Sequence, residues 1–434
     1  MSRHRTNTMD KEAIQKKNML ISISMSETRE KRKSQQCRVY EIKIQTNKLN
    51  LIQKESLKMI FIEAKWIRNE MIGFGQDNNI FNYKVNDTVR VMNKDKEFEN
   101  RELKHISAQQ IQSVIDQVKK DIKSLNKLKN KGNKIGSLKF TSSVDSVDLK
   151  QYNITYKIKS STKMKIQGIK GDVKVKGLDQ IPKESEFANA KLIHKPDGYY
   201  IQLTTYINKN RIKREYIPDT EIGIDMGIKD NITLSNGKKY NVYVEETDRL
   251  KRFQKKLSRQ EKGSNNRYKN RMLIRKEYQK LENKKNDAAN KIVSEIKKYE
   301  FIYFQDENLN GWKNKKSLAH GSKKIQHSIL GRVKSKLRNC DRAVMVDRYC
   351  ATTQTCVCGR KNKHDLSERI YNCECGYKND RDIHAAGMMI VFGKTIGMEH
   401  TEFKPVETYS AVGSFAADKT RSLIQEAQKS LTSG

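Results

Sequence analysis

The sequence predicts a multidomain protein, with a β-rich N-terminal half that carries helices and an α/β domain in the C-terminal half. The chain has 434 residues, too many for one ordinary core and suited to two or three domains. Short strand-like runs follow one another from about residue 150 to 207, whereas strands and helices alternate after residue 213. Four closely spaced cysteines interrupt the end of this alternation.

The N-terminal half alternates between strand and helix patterns. Residues 1–36 have mixed charges and no apolar period, so they predict a basic leader. A strand is predicted at CRVYEIKIQ (37–45), and helices are predicted at 49–74 and 106–125. The first helix has one apolar side, formed by Leu51, Ile52, Leu57, Ile60, Ala64 and Ile67. A basic loop broken by glycines is predicted at 126–139.

Four strand-like stretches then follow, at 151–158, 163–169, 172–178 and 191–207. Within the last of them, Pro-Asp-Gly at 196–198 predicts a hairpin turn. We expect the strand at Cys37 to join these strands in one β-barrel-like domain, with the two helices inserted between.

The C-terminal half begins with three strands, predicted at 222–228, 232–235 and 239–245, and Asn236-Gly237 is a strong signal for a hairpin between the last two. A basic helical pair (246–299, broken at 263–266), a strand (301–306), a basic helix (322–339), a strand (343–347) and a last helix near Asp380 follow. The order β-β-β-α-β-α-β is expected of an RNase H-like fold.

Three acids occupy special places in this order. Asp225 lies within the first strand, Glu307 at the end of the fourth and Asp382 at the start of the last helix. Cleaving a phosphodiester with two divalent ions such as Mg²⁺ requires several carboxylates around metals about 4 Å apart. An acid inside an apolar strand costs desolvation energy unless it is neutralised, so Asp225 in particular predicts a metal. Each acid alone could instead be a salt-bridged, strand-end or helix-capping residue, and three neighbouring acids compete with them: Asp230, Asp306 and Asp380.

The cysteines predict a structural zinc site. Cys356, Cys358, Cys373 and Cys375 form two C-x-C-Gly turns, and paired turns of this kind can bring four sulfurs onto one Zn²⁺. C-x-x-C is the commoner spacing, so substitution of a ligand by Cys350 or His364, or a metal-free loop, remains open. Cys37 and Cys340 are expected to be buried small hydrophobes.

The whole chain is strongly basic. Its 88 lysines and arginines against 51 aspartates and glutamates give a formal charge of +37. Such a charge destabilises a compact monomer unless a polyanion neutralises it. The basic residues run along nearly the whole chain, which favours nucleic acid over an anionic membrane. Neither a membrane span nor a signal peptide is predicted, so we expect a cytoplasmic protein with no membrane partner.

Three stretches resemble the TnpB family and its descendants, the type V CRISPR effectors: EIGIDMGIKD (221–230), FQDENLNGW (304–312), and TTQTCVCG (352–359) with LSERIYNCECGYKNDRDIHAAGMMI (366–390). They look like the three RuvC motifs with a zinc ribbon inserted before the last. The family pattern E-[DN]-L selects Glu307 over Asp306, and D-x-N-A-A selects Asp382 over Asp380. His384 stands where the family has Asn. Arg369 matches a basic position near the scissile phosphate, and HTEFKPVET (400–408) resembles the ends of insertion-sequence TnpB proteins.

The resemblance implies a domain plan: a leader (1–36), a split wedge-like β domain (37–48 and 145–212), a helical recognition lobe (49–144), a RuvC-like nuclease domain (213–397) with its ribbon at about 350–380, and a flexible tail (398–434). It also implies an RNA guide transcribed from the transposon end and a double-stranded DNA target read beside a short motif. We also expect a monomer in a prokaryotic cytoplasm, associated with the nucleoid.

The resemblance thus implies an Mg²⁺-dependent, RNA-guided DNA endonuclease with a single RuvC-like site. Four alternatives to this function stay open: a nuclease-inactive RNA-guided repressor, a miniature type V CRISPR effector, a DDE-type transposase sharing the fold and metals, and a generic basic zinc-ribbon factor. The basic helices at 246–299 and 322–339 could contact phosphate or be a solvated face.

Overall fold

A computed structural model describes residues 11–399, except for Lys94, Lys96, residues 213–215 and 315–318, His364, Leu366 and Ser367. Within it the chain forms two compact units, Met1–Lys213 and Arg214–Gly434. The motif at 400–408, and nearly all of the predicted tail, lie outside the described residues. Over the described part of the chain, no helix has both the length and the apolar character that a membrane crossing requires.

The N-terminal unit is built on a seven-stranded sheet with helices between its strands. In chain order its elements are α1 (Lys11–Lys33), β1 (Gln35–Ile44), α2 (Leu51–Asp77), β2 (Thr88–Met92), β3 (Phe98–Glu102), α3 (Ala108–Asn130), β4 (Ser146–Leu149), β5 (Tyr156–Ser160), β6 (Lys163–Ile166), β7 (Asp172–Lys176), β8 (Glu186–Lys195) and β9 (Gly198–Asn208). The sheet order is β4-β8-β9-β1-β7-β6-β5, with antiparallel neighbours throughout. The prediction that the first strand joins the later ones is confirmed.

Helix α2 begins at a capping box in which the side chains of Asn50 and Gln53 satisfy each other's backbone N–H groups. Its buried side contains Leu57, Ile60, Ala64 and Ile67 as predicted, but Leu51 and Ile52 are 82% and 64% exposed, so their predicted place on that side is wrong. The buried Gln53 amide donates to the carbonyls of Lys170 and Asp172. That attachment turns the Gln53 side of the first helical turn inward and the two apolar residues outward.

The structure differs from the predictions for this unit at four other places. The hairpin β2–β3 was not predicted, and α3 continues to Asn130 through the start of the predicted loop. The strand predicted at 151–158 begins only at Tyr156, after a turn that holds Asn153 at φ 66°. Cys37 is exposed because it lies at an outward position of β1, opposite Tyr206.

The C-terminal unit contains a five-stranded mixed sheet. Its elements are β10 (Ile217–Met226), β11 (Ile232–Leu234), β12 (Lys239–Tyr240), α4 (Asp248–Arg259), α5 (Asn265–Ile296), β13 (Tyr299–Gln305), α6 (Leu309–Asn314), α7 (Ala319–His327), α8 (Leu330–Arg338), β14 (Ala343–Val346), β15 (Ile370–Asn372), β16 (Lys378–Asp380) and α9 (Arg381–Glu399). The sheet order is β12-β11-β10-β13-β14; β11 is antiparallel to both of its neighbours, β10 and β12, whereas β13 and β14 run parallel to β10.

The predicted order of strands and helices is present, with two local differences. The third strand is only two residues long, because beyond it the backbone N–H of Val242 donates to the Asn231 side chain instead of to β11. The single basic helix predicted at 322–339 is two helices, α7 and α8. The helical conformation is interrupted between them, where Ser328 forms a β-bridge with Tyr243.

The two faces of this sheet have different partners. Ile224 and Phe304, which are register neighbours on β10 and β13, lie on the face that packs in one core with residues of α5 and α8. Gly223 and Tyr303, the neighbouring register pair, lie on the opposite face, which α9 covers. The sheet is therefore covered on both sides, and the α9 face carries the candidate site.

Candidate active site and metal centre

Helix α9 lies against β10 at a fixed register. Lys394 forms an ion pair with Glu221 at 2.9 Å, and a methyl group added at Gly223 would lie 1.8 Å from the carbonyl oxygen of Ala386. The helix thus runs antiparallel to the strand. Asp225 is two residues beyond Gly223 on the same face, and Asp382 is one helical turn before Ala386. This register brings the two acids to the same end of the sheet.

Glu307 follows β13, two residues beyond its last strand residue, Gln305. Burial is the main cause of a raised pKa at Asp225, and the carboxylates of Asp382 and Glu307 raise it further, to about 7. Arg381 opposes this shift with a smaller effect. Glu307 and Asp382, from two other elements, are therefore close enough to Asp225 to act on it electrostatically.

The acids lie at a solvent-accessible end of the sheet. Asp382 retains a 20% exposed side chain, and Asp225 is half-buried. The site can be reached from solvent.

Asp306 lies on the other side of the sheet from this site and is neutralised there. Its carboxylate pairs with Lys334 at 2.6 Å, Arg348 at 2.9 Å and Arg338 at 3.4 Å. The hydrogen bond from Lys334 is the main cause of its lowered pKa. Lys334 and Arg338 belong to α8, so Asp306 fastens the end of β13 to that helix.

Asp380 and Asp230 also have partners of their own. The Asp380 carboxylate accepts the backbone N–H groups of Asp382 at 2.9 Å and Ile383 at 3.2 Å, so it caps the start of α9. Lys239 pairs with Asp380 at 2.8 Å and with Asp230 at 3.6 Å. Lys239 therefore neutralises both of these acids, whereas the strongest charged neighbours of Asp225 are the carboxylates of Asp382 and Glu307.

The four predicted cysteines come together. The Cys356 and Cys375 sulfurs are 3.6 Å apart, and those of Cys358 and Cys373 are 3.7 Å apart. Sulfurs at about 2.3 Å from a tetrahedral zinc ion lie about 3.8 Å from each other, so the cluster has the dimensions of a ZnS₄ site. In both turns a glycine with positive φ, Gly359 at 86° or Gly376 at 89°, lets its backbone N–H donate to the carbonyl of the first cysteine.

The alternative ligands receive less support. Cys350 is half-buried among apolar residues of another cluster, and burial raises the pKa of its thiol. The backbone N–H groups of Cys356 and Cys373 donate to the carbonyls of Arg360 and Tyr377, so the two C-x-C turns have matching backbone hydrogen bonds. His364 lies outside the described residues.

His384 attaches the ribbon to α9. It is 2% exposed, its Nε2 lies 2.9 Å from the Thr355 carbonyl oxygen, and its ring stacks on Tyr371 with 3.7 Å between centroids. The imidazole thus faces the cysteine-bearing segment, where an asparagine would have no ring to stack on Tyr371. This is the local role of the residue that stands where the resembled motif has asparagine.

Sequence reasoning did not single out Gly223 or Lys334. Gly223 permits the contact of α9 with the sheet, and Lys334 donates to the backbone carbonyl of Glu307 as well as to Asp306. The Gly beside Asp225 in EIGIDMG was the available signal for the first; nothing local marks the second. Arg369 is exposed, and its carbonyl accepts the Arg381 backbone N–H at 2.8 Å, so it lies beside the start of α9.

Two family matches cover parts of the chain. Residues 204–300 match OrfB_IS605, described as "Probable transposase", and residues 328–389 match the "Cas12f1-like, TNB domain". A curated protein of Streptomyces pristinaespiralis, named "Putative RNA-guided DNA endonuclease", is 26% identical over 224 residues, covering 49% of this chain and 53% of that protein. The chain therefore spans about half the length of this relative.

Two solved structures are also similar. "Cryo-EM structure of the Cas12f1-sgRNA-target DNA complex" matches with a TM-score of 0.40 and 15% identity, over 78% of this chain and 82% of that one. "Cryo-EM structure of CRISPR-Cas12f Ternary Complex" matches with a TM-score of 0.25 and 15% identity, over 81% and 82%.

Proposed function

We propose, from the premise that this chain is a TnpB-family protein, that it is an RNA-guided DNA endonuclease. Its active site would consist of Asp225, Glu307 and Asp382, holding Mg²⁺ for hydrolysis of target DNA at a single RuvC-like site. The observation that carries this proposal is the raised pKa of Asp225, caused by burial and by the other two acids. An acid whose pKa is raised by burial and by neighbouring carboxylates, in a solvent-accessible site, is typical of a catalytic or metal-binding group.

The sheet supports the nuclease assignment. Three antiparallel strands followed by two parallel ones, in the order β12-β11-β10-β13-β14, are the arrangement expected of an RNase H-like domain. In this arrangement the central strand β10 carries Asp225, its parallel neighbour leads to Glu307, and the helix across the face begins beside Asp382. The competing acids have other partners, which favours these three over Asp306 and Asp380.

Carboxylate oxygens are the ligands that Mg²⁺ prefers, so the donor set fits this metal. Bound there, Mg²⁺ would supply the activation of water and the stabilisation of the leaving oxygen. The chain's own residues provide the framework. Asp380 caps α9 and so fixes the backbone at Asp382, and Lys334 holds the Glu307 backbone through its carbonyl. Exposed Arg369, beside the start of α9, is available to a phosphate of the substrate.

The cysteine cluster would hold a structural zinc ion. Zinc would keep the ribbon folded, and the ribbon would in turn support α9 through His384 and Tyr371. The partners we propose are a guide RNA from the transposon end and double-stranded target DNA with a short adjacent motif, bound by a cytoplasmic monomer. The wedge-like (37–48 and 145–212) and recognition (49–144) roles of the N-terminal unit are part of the same proposal.

The test begins with the full chain purified together with the RNA that it retains. Sequencing that RNA supplies the guide, and a duplex library with a matched target and randomised flanks supplies the adjacent motif. Cutting that requires both a matched target and Mg²⁺ is the expected result. Binding without cutting would support the repressor instead, and absence of any RNA of defined sequence would refute the guided mechanism.

Isosteric variants identify the active site. Asp225→Asn, Glu307→Gln and Asp382→Asn should each lower the cleavage rate by at least about 10³-fold while binding of guide and target persists. Asp230→Asn is the matched control, because it removes a nearby carboxylate that pairs with Lys239. Cutting that survives in Asp225→Asn, or is lost equally in Asp230→Asn, would refute this assignment of the site.

A further inference from the structure

The sheet of the N-terminal unit carries a cluster of lysines on one half of its outward face. Strands β5, β6 and β7 alternate between buried apolar and exposed residues, and the exposed positions are mostly lysine. Five of these side chains form what we name the lysine ladder: Lys157, Lys163, Lys165, Lys174 and Lys176.

The register of the strands sets these lysines directly against one another. Lys163 lies opposite Lys174, and Lys157 lies opposite Lys165. At the next strand, Lys176 lies opposite Lys43 of β1. Directly opposed residues in an antiparallel sheet have Cβ atoms only about 5 Å apart, and like charges at that separation destabilise the sheet. The arrangement therefore works against the stability of the protein when nothing is bound.

The other half of the same sheet shows the ordinary solution. There Lys191 pairs with Asp148 at 3.2 Å, Lys195 with Glu41 at 2.6 Å, and Lys43 with Asp197 at 3.8 Å. In the described residues no ion pair is recorded for the five ladder lysines, and Asp172 is the one acid at an outward position of β5, β6 or β7. Asp172 lies directly opposite Lys165 and can offset one of these charges, whereas the other four ladder lysines lie opposite lysines.

We propose that the lysine ladder is a binding site for the phosphate backbone of double-stranded nucleic acid. A row of lysines across three strands, each strand about 4.8 Å from the next, can contact several phosphates at once. Outward positions of β5, β6 and β7 hold no aromatic side chain on which an unpaired base could stack, which favours a duplex over a single strand. Lysine contacts to phosphate carry no base sequence, so the binding is independent of sequence.

This proposal concerns binding alone and does not depend on the three carboxylates. The test uses the full chain freed of nucleic acid by high salt, in EDTA, with a short DNA duplex of unrelated sequence and an RNA duplex of the same sequence as probes. The dissociation constant is measured over a series of salt concentrations for wild type and for the double variant Lys163→Gln/Lys174→Gln. The slope of log Kd against the logarithm of the salt concentration should fall by about two, because two phosphate contacts are lost.

Two further variants separate the charge from the fold. Lys163→Arg/Lys174→Arg keeps both charges and should keep the wild-type salt dependence. Lys191→Gln removes a lysine of the same sheet that pairs with Asp148, and should also leave the salt dependence unchanged. The Tm of the Lys163→Gln/Lys174→Gln protein without nucleic acid should rise, since two opposed charges are gone.

If the double glutamine variant lowers the salt dependence more for one probe than for the other, that probe is the kind of duplex the ladder binds. An equal decrease for the RNA and DNA probes identifies a site for any duplex. An unchanged salt dependence in Lys163→Gln/Lys174→Gln overturns the proposal and leaves the ladder a solvated face. Loss of binding in the arginine variant as well overturns it too, because the charge would then not be the cause. Neither result affects the proposed nuclease activity, which is measured separately with Mg²⁺ and a matched target.

Discussion

Substitution of Gly223 by alanine tests whether α9 positions Asp382 in the proposed active site. The added methyl group would lie 1.8 Å from the Ala386 carbonyl oxygen and 3.1 Å from Ile390 Cγ1. A normal carbon–oxygen contact is about 3.3 Å, so the backbone of α9 must move by roughly 1.5 Å. Because Asp382 is one helical turn from Ala386, the carboxylate moves with the helix.

A displacement of about 1 Å at a catalytic group can cost about 10²-fold in rate, so we expect Gly223→Ala to cut at least about 100-fold more slowly. Overpacking should also lower the free energy of unfolding by about 1–3 kcal/mol. The assay is single-turnover cleavage of a matched duplex at saturating Mg²⁺, together with urea unfolding.

Gly387→Ala is the matched control, because a methyl group at this position of the same helix meets no atom within 4 Å. Alanine is the better helix former, so this variant should be as active as wild type and no less stable. If Gly223→Ala cuts within a few-fold of the wild-type rate, the close contact of α9 with β10 does not position Asp382 for cleavage.

Two further predictions concern pH and metal. With divalent ions removed, the protein should lose stability as pH rises from about 4 to about 7, because Asp225 ionises in the unfolded chain while its pKa of about 7 keeps it protonated in the folded one. Asp225→Asn should flatten this part of a Tm-against-pH curve, and an unchanged slope would contradict the raised pKa. Cys358→Ser should abolish bound zinc in metal analysis and lower the Tm. Cys37→Ser, at an exposed site outside the cluster, should keep the bound zinc and the wild-type Tm. Zinc retained at full stoichiometry in Cys358→Ser would rule out the four-cysteine site.

Short-range patterns allowed much of the architecture to be predicted. The Asn236-Gly237 turn, the alternation in β6 and β7 and the two C-x-C-Gly turns depend on neighbours within a few residues, so sequence is sufficient for them. The order of strands and helices in the C-terminal unit follows from the same local signals. Local patterns failed where a distant group decided the outcome, as at Leu51 and Ile52, which the attachment of Gln53 to the β6–β7 turn directs outward.

The choice among acids shows the same division. Sequence alone could nominate Asp225, since an acid in an apolar strand needs neutralisation. It could not separate Glu307 from Asp306 without a family motif, because adjacent residues differ only in the face they occupy. Tertiary structure supplied that difference: Asp306 pairs with Lys334, Arg338 and Arg348.

Asp380 and Asp382 differ for a similar reason, since Asp380 is the cap of α9. The proximity of Asp382 to Asp225 depends on the contact between Gly223 and Ala386, two residues that are far apart in the chain. Residue types and spacing thus determined which chemistry the chain could support. Only the packing of a helix on a sheet decided which carboxylates meet, because the separation of distant residues is set by the folded backbone and not by their order.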